Sequence, residues 1–374
     1  MTHPLLGADL RTLSTIFRRG GRPDRLGLSA AIWASALLRS PLTAIEQVFL
    51  SGNPRDASQF APPIFIIGHW RSGTTLLYNL MSTDGFGFVP PVAVGLPWNF
   101  LGLGRALKPV LDRALPENRW IDRMPVTPDS PQEDEIALAS MSGLSFYNGL
   151  YFPKAFQSLV TSGVFLNEFN ENETALWRHA FLRFLQKLSV MQKSTARRPM
   201  LIKNPVYTGR IGLLLEMFPK AKFIHIHRDP LDVFLSMRNF YKRLLPELAL
   251  QTVPDEIELD ETILATYDRL MSRYLEEKTR IPEGQFVELG YDDLCNDPIS
   301  ALRTVYEDLS IPDFDAAVPG FRDHLLAVQD YRRNSFQLEP AAVDLMSTRW
   351  QRWFRHWGYT DPRKRARGEA AAWT

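Results

Sequence analysis

The densest chemistry in the chain lies in Gly68-His69-Trp70-Arg71-Ser72-Gly73-Thr74-Thr75, directly after the apolar run Ile64–Ile67. A buried strand that turns at Gly68 and Gly73 and opens into a helix aims successive backbone N–H groups at one point. The positive end of the helix dipole points the same way. An anion fits there. The order is close to that of a nucleotide-binding P-loop, but Thr74 stands where such a loop carries its phosphate lysine. The cation comes earlier, at Arg71. The loop suits a phosphate-like group without the lysine that normally meets a triphosphate.

A second group of residues runs from Phe223 to Ser236. Asp229 reads as a helix cap, Pro230 as the first helical residue and Asp232 as an acid in the first turn, all of which local rules explain. Arg228 is not explained that way. It is a permanent cation at the carboxyl end of a buried strand, where ligands gather in open α/β sheets. Ser236 follows two turns into the helix, and a third segment, Leu201-Ile202-Lys203-Asn204-Pro205, ends another apolar run with a lysine.

The elements that must position these residues are four short apolar runs, Ile64–Ile67, Met200–Ile202, Lys222–Ile226 and Phe286–Leu289, each beside turn or helix signals. They predict buried parallel strands in a βαβ arrangement. Residues 1–58 read as an N-terminal helical segment, broken at Gly20-Gly21-Arg22-Pro23 and ended by Ser51-Gly52-Asn53-Pro54. An α/β domain is expected over 59–362. Within it lies an insertion, 83–199, which is aromatic at first and helical from Ser130 onward. There Trp177, Phe181, Phe184, Leu188 and Met191 follow helical spacing and read as core. The basic tail 363–374 reads as a solvated, disordered end.

The whole-chain composition narrows the function. Forty-three basic residues face 42 acidic ones, so no global field draws in nucleic acid, and any cationic surface must be local. The single Cys295 excludes an intrachain disulfide and a cysteine-based zinc site. With no secretory signal in the arginine-rich N-terminus, a reducing, cytoplasmic setting is expected. The apolar run Leu26 to Leu38, closed by Arg39, is too short to span a bilayer. It reads as a packed helix, with shallow membrane contact the secondary reading.

The loop at residues 68–75, together with Arg228 followed eight residues later by Ser236, resembles the two signature segments of the PAPS-dependent sulfotransferases. Lys203-Asn204-Pro205 is similar to a third segment found in the tyrosylprotein and bacterial single-domain branches. The resemblance covers residues 62 to about 300 in order. It implies a P-loop-type central parallel sheet flanked by helices, and sulfonate transfer from 3′-phosphoadenosine 5′-phosphosulfate without a metal. It also implies that Gly68, His69, Arg71, Ser72, Gly73, Thr74 and Thr75 surround the 5′-phosphosulfate, and that Arg228 and Ser236 hold the 3′-phosphate. Tyr291, in Gly290-Tyr291-Asp292-Asp293-Leu294, is implied to lie near the nucleotide, although core packing explains it equally. Tyr331-Arg332-Arg333-Asn334-Ser335 lies where the family closes a basic loop.

Sulfonyl transfer needs cations near the leaving oxygen and a base for the acceptor's proton. Arg71 and Lys203 are the candidate cations. The glutamate that other branches carry soon after the first loop is absent, since Phe88-Val89-Pro90-Pro91 stands there. The nearest acids are Glu133, Asp134 and Glu135. Ser130 with Glu133 also forms a capping-box pattern, but capping needs only one acid. Glu133 is the favoured base, with Asp134, Glu135, His69, His225 and His227 as alternatives. The acceptor is left open among small molecules, lipids, carbohydrates and peptides. Its pocket is expected in residues 83–170, where Trp98, Phe100, Phe146, Tyr147, Tyr151 and Phe152 suggest an apolar lining or simply core. The rival functions are a P-loop NTPase or kinase, and a catalytically silent nucleotide-binding protein.

Overall fold

Mainly apolar runs call for cover on both faces, and all four of them form strands of one parallel sheet. The computed structural model describes residues 3–51, 57–114, 127–166, 170–193, 195–329 and 339–366. The strands are β1 Ile64–Ile67, β2 Phe86–Gly87, β3 Arg198–Lys203, β4 Lys222–His227 and β5 Phe286–Gly290, in the spatial order β2-β3-β1-β4-β5. Every pairing is parallel, with Ile64 opposite Leu201 on one side and Lys222 on the other. The edge strand β2 is the element that sequence patterning misses. Two residues, one a glycine, carry no period.

Side chains on β1 alternate between two cores. Phe65 and Ile67 join Ile202 and Phe223 in the larger core, together with Trp177, Phe181, Phe184 and Leu188 from the helix Glu171–Met191. Ile64 and Ile66 face the opposite way, with Leu201, Ile224, Val287 and helix residues Leu77, Val305 and Tyr306. The N-terminal helices Leu10–Gly20 and Leu26–Ser51 place Leu13, Ile16 and Ile32 in the larger core. The second of these helices ends at Ser51, the first residue of the break expected from the sequence. It runs on through Arg39 to Ser51, because Arg39 turns inward and donates to the carbonyls of Leu6 and Ala8 and to Asn99 Oδ1.

The topology fixes where a ligand can sit. From β1 the chain passes through the helix Thr74–Ser82 toward β2, whereas from β4 it passes through the helices Pro230–Leu248 and Leu259–Glu277 toward β5. Connections that leave neighbouring strands in opposite directions open a crevice at the strands' carboxyl ends. The loops after β1 and β4 carry Arg71 and Arg228 into that crevice.

Phe65 anchors the sheet. Its ring stacks on Phe223 at 5.5 Å and meets Tyr207 edge-on at 5.6 Å. Phe65→Ala should destabilise the fold by roughly 3–5 kcal/mol. The expected reading is a lower urea midpoint with an unchanged slope, and a midpoint near that of the parent chain would place the sheet's anchor elsewhere.

Candidate functional site

The turn after β1 is tight because it must be. Gly68 has φ 142°, and a Cβ there would lie 2.4 Å from the carbonyl oxygen of Ile226 on β4. Gly73 has φ 101°, and its Cβ would meet the Tyr291 ring at 2.2 Å. Between them Arg71 takes the left-handed conformation, φ 70°, which a side chain adopts only when its surroundings hold it there. Three braces do so. Arg228 Nη1 donates to the Arg71 carbonyl at 3.2 Å, Arg71 Nε donates to Ser236 Oγ at 2.8 Å, and Ser72 Oγ closes the turn on the His69 carbonyl at 2.8 Å. The segment after β3 adds another brace: Gly68 N–H donates to Thr208 Oγ1 at 2.8 Å, and that hydroxyl donates back to the Gly68 carbonyl at 3.0 Å.

These braces join the three sequence segments into one site. The helix Thr74–Ser82 starts behind Gly73 with no side chain capping it, so its N-terminus is presented to the crevice. Thr74, which stands where a P-loop carries its lysine, is buried there. Across the crevice the Arg228 guanidinium lies 4.5 Å over the Tyr291 ring and pairs with Asp232 at 3.1 Å, while its buried Nε has no hydrogen-bond partner. A buried donor without a partner is costly, and an anion's oxygen would satisfy it. Tyr291 is thus wedged between the loop and Arg228. Asp232 is in turn shared with Arg365, which also binds Asp229 at 2.8 Å, so the first turn of the tail, Pro362–Ala366, packs beside the site. Neither Asp232 nor Arg365 was singled out by the sequence in this role.

The acidic segment lies at the mouth of the same loop. Glu133 binds Lys203 Nζ, which also donates to Thr75 Oγ1 at 3.3 Å. Its two neighbours point elsewhere. Asp134 accepts from Asn204 Nδ2 at 2.8 Å and from the Tyr207 hydroxyl, and Glu135 accepts from Ser145 Oγ at 2.6 Å and from Asn204 at 3.0 Å, with Arg210 at 3.9 Å. The capping-box expectation for Ser130 and Glu133 is not met. The helix begins later, at Glu135, and Ser130 Oγ instead accepts from the Thr127 amide at 2.8 Å. The acids are held by the lysine, the asparagine and the tyrosine after β3, which outcompete a local cap.

Burial pushes the Asp134 carboxyl up to about 7, with the Tyr207 hydrogen bond opposing and the nearby Glu135 adding to the rise. Burial likewise raises Glu135, against the pull of Arg210. His69 is driven down to about 4 by burial, against its bond to the Trp70 carbonyl at 2.9 Å, so the ring is neutral and adds no cation to the site. His225 and His227 are also lowered, chiefly by burial. They stack on Tyr274 at 3.9 Å and on Trp357 at 4.5 Å respectively, on the side of the sheet that carries those aromatic rings.

The aromatic residues expected near an acceptor are mostly core. Phe100, Phe146, Tyr147, Tyr151 and Phe152 are buried, and Phe146 packs edge-on against Trp70 of the loop at 5.0 Å. Sequence reasoning passed over Trp70, whose buried Nε1 has no hydrogen-bond partner. A cavity of 490 Å³ opens beside β2 and the start of β3, lined by Phe86, Phe88, Met191 and Arg197, and holds none of the side chains above. No cluster of metal-ligating residues occurs among the described residues. Tyr331 to Ser335 lie outside the described residues.

This is an α/β protein in which a glycine turn, an uncapped helix N-terminus and two arginines meet at the switch point of the sheet. The chain belongs to the sulfotransferase family, whose family model matches residues 62–316. It is similar to the omega-hydroxy-beta-dihydromenaquinone-9 sulfotransferase Stf3 of Mycobacterium bovis and Mycobacterium tuberculosis, at 33% identity over 80% of this chain and 75% of each relative. Its fold is that of the sulfotransferase STF9 from Mycobacterium avium, with a TM-score of 0.65, 17% identity, and coverage of 95% of this chain and 97% of that one. Sulfotransferase STF1 from Mycobacterium tuberculosis shares the fold at a TM-score of 0.61 and 18% identity, over 84% and 85% of the two chains. The protein is a sulfotransferase, and nothing favours the NTPase reading over that one.

A pH prediction follows from the buried acid. Folded Asp134 keeps its proton up to about pH 7, whereas the unfolded chain loses it near 3.8. Between those values the native state binds more protons, so this group's contribution to stability falls as pH rises. Asp134→Asn should remove that fall, read as the difference between the two proteins' curves of urea midpoint against pH. Parallel curves would mean that Asp134 is ionised throughout.

Proposed function

We propose that the chain transfers a sulfonate group from 3′-phosphoadenosine 5′-phosphosulfate to a hydroxyl group on a small apolar or lipid-like acceptor. The observation that carries this reading is the position of Lys203, held between Thr75 at the opening of the anion loop and the carboxylate of Glu133. A cation and a carboxylate side by side at the opening of that loop support the reading. The acceptor class draws on the mycobacterial relatives, whose name gives a hydroxylated dihydromenaquinone.

The residues present fit the donor. The Gly68–Gly73 turn and the uncapped start of the helix Thr74–Ser82 would take the 5′-phosphosulfate. Arg228, through its unpartnered Nε, and Ser236 would take the 3′-phosphate, with Tyr291 beneath Arg228. When bound, the donor supplies an activated sulfonate on a phosphate leaving group. Glu133 removes the acceptor's hydroxyl proton as that oxygen forms its bond to sulfur. Lys203 and Arg71 hold the charge gathering on the bridging oxygen as its bond to sulfur breaks. Arg71 donates in a fixed fork and does not give up a proton, so its part is electrostatic. Asn204, Asp134 and Tyr207 keep the segments around Lys203 and Glu133 in register.

The test separates binding from chemistry. Glu133→Gln and Lys203→Met should each lower radiolabelled-sulfonate transfer to a hydroxylated isoprenoid by roughly 10²–10⁴, while affinity for adenosine 3′,5′-bisphosphate stays within a few-fold of the parent. Near-normal turnover in Glu133→Gln would remove it as the base.

A further inference from the structure

The helix Leu26–Ser51 turns its charges inward and its apolar side chains outward. Its buried side reads Ile32, Ala36, Arg39, Thr43, Glu46 and Leu50, spaced by three and four in the period of a helix lying on a surface. Arg39 and Glu46 are its only ionisable residues. Arg39 is spent on the carbonyls of Leu6 and Ala8 and on Asn99, and Glu46 pairs with the buried Lys187 at 2.7 Å and accepts from the Gly102 amide at 3.0 Å. The outer side carries Leu37, Leu38, Leu42, Ile45, Val48 and Phe49, with Leu38 79% and Phe49 73% exposed. Water selects the opposite pattern, and a continuous apolar strip of this kind marks a contact surface.

The element beside the strip says what meets it. Glu46 also accepts from the Leu101 amide at 3.3 Å, and so fixes the turn that leads into the helix Arg105–Ala114. That helix exposes Leu107 and Val110 next to Arg105, Lys108 and Arg113, against the single carboxylate of Asp112. An exposed apolar strip, with a basic helix joined to a turn that packs on the same element, complements the headgroup and acyl boundary of an anionic bilayer. A second copy of the chain would set cation against cation. By length and composition the helix could cross a membrane, but its inner side is bound to the protein through Arg39 and Glu46. It is therefore positioned to lie along a bilayer rather than to cross it.

We propose that the outer face of the Leu26–Ser51 helix, with the basic Arg105–Ala114 helix beside it, docks the protein flat on an anionic lipid surface. The face is independent of the anion crevice, so this proposal stands or falls without reference to donor or acceptor.

Flotation of the full chain with phosphatidylcholine–phosphatidylglycerol vesicles tests it, with no donor or acceptor present. The parent should float with the vesicles, less so at high salt or with phosphatidylcholine alone. The triple variant Leu38→Ser, Ile45→Ser, Phe49→Ser should lose at least ~tenfold in vesicle partition. Arg105→Gln with Lys108→Gln and Arg113→Gln should lose mainly the dependence on anionic lipid. Both should keep the parent's affinity for adenosine 3′,5′-bisphosphate, which shows that the fold is intact. The proposal is overturned if the parent stays out of the vesicle fraction. It is equally overturned if the parent is a dimer in solution that the Leu38, Ile45, Phe49 variant converts to a monomer, because the strip would then be an interface between copies.

Discussion

Two hydrogen bonds between segments that are distant in sequence hold the site together: Arg228 to the Arg71 carbonyl, and Arg71 to Ser236. Arg71 sits at a positive φ that costs backbone energy, and the bonds from the β4 side hold it there. The sheet order makes the bonds possible. Because β4 lies directly beside β1 and the two connections diverge, the loops after these strands share one crevice. An arginine used in this way has two tasks. Arg228 braces the loop proposed to receive one end of a nucleotide, and its unpartnered Nε is the donor proposed to meet the other end.

The second organising feature is the set of buried polar groups behind Lys203. Asp134, Glu135, Asn204 and Tyr207 bond one another away from water, with the Arg210 guanidinium 3.9 Å from Glu135. Such clusters are costly to bury and add little net stability, and their value lies in fixing one arrangement. Here the arrangement separates three consecutive acids. Asp134 and Glu135 are locked into the cluster with raised pKa values, while Glu133 alone reaches the lysine at the loop. That separation distinguishes a proposed base from two structural neighbours.

Much of this was legible in the chain. The four long strands appear where short, mainly apolar runs predict them, within two residues of the expected ends, and Asp229 caps its helix through the Leu231 amide as its position ahead of Pro230 implies. The rest depended on partners far away in sequence. Nothing local to residue 71 indicates that it meets Ser236, and three adjacent acids before a helix look alike until Lys203 takes Glu133 while Asn204 and Tyr207 take the other two. The reading closed the apolar run at Arg39, because a charge ordinarily marks exposure. The arginine is instead buried on backbone carbonyls, and the apolar strip continues past it.

The most direct test of the account is a calorimetric comparison of adenosine 3′,5′-bisphosphate with adenosine 5′-phosphate on the parent and on Arg228→Ala. The account predicts that the 3′-phosphate strengthens binding to the parent, and that most of this gain, about ten- to a hundredfold, disappears in the variant. Equal affinity of the parent for the two nucleotides would contradict it, as would an unchanged preference in Arg228→Ala.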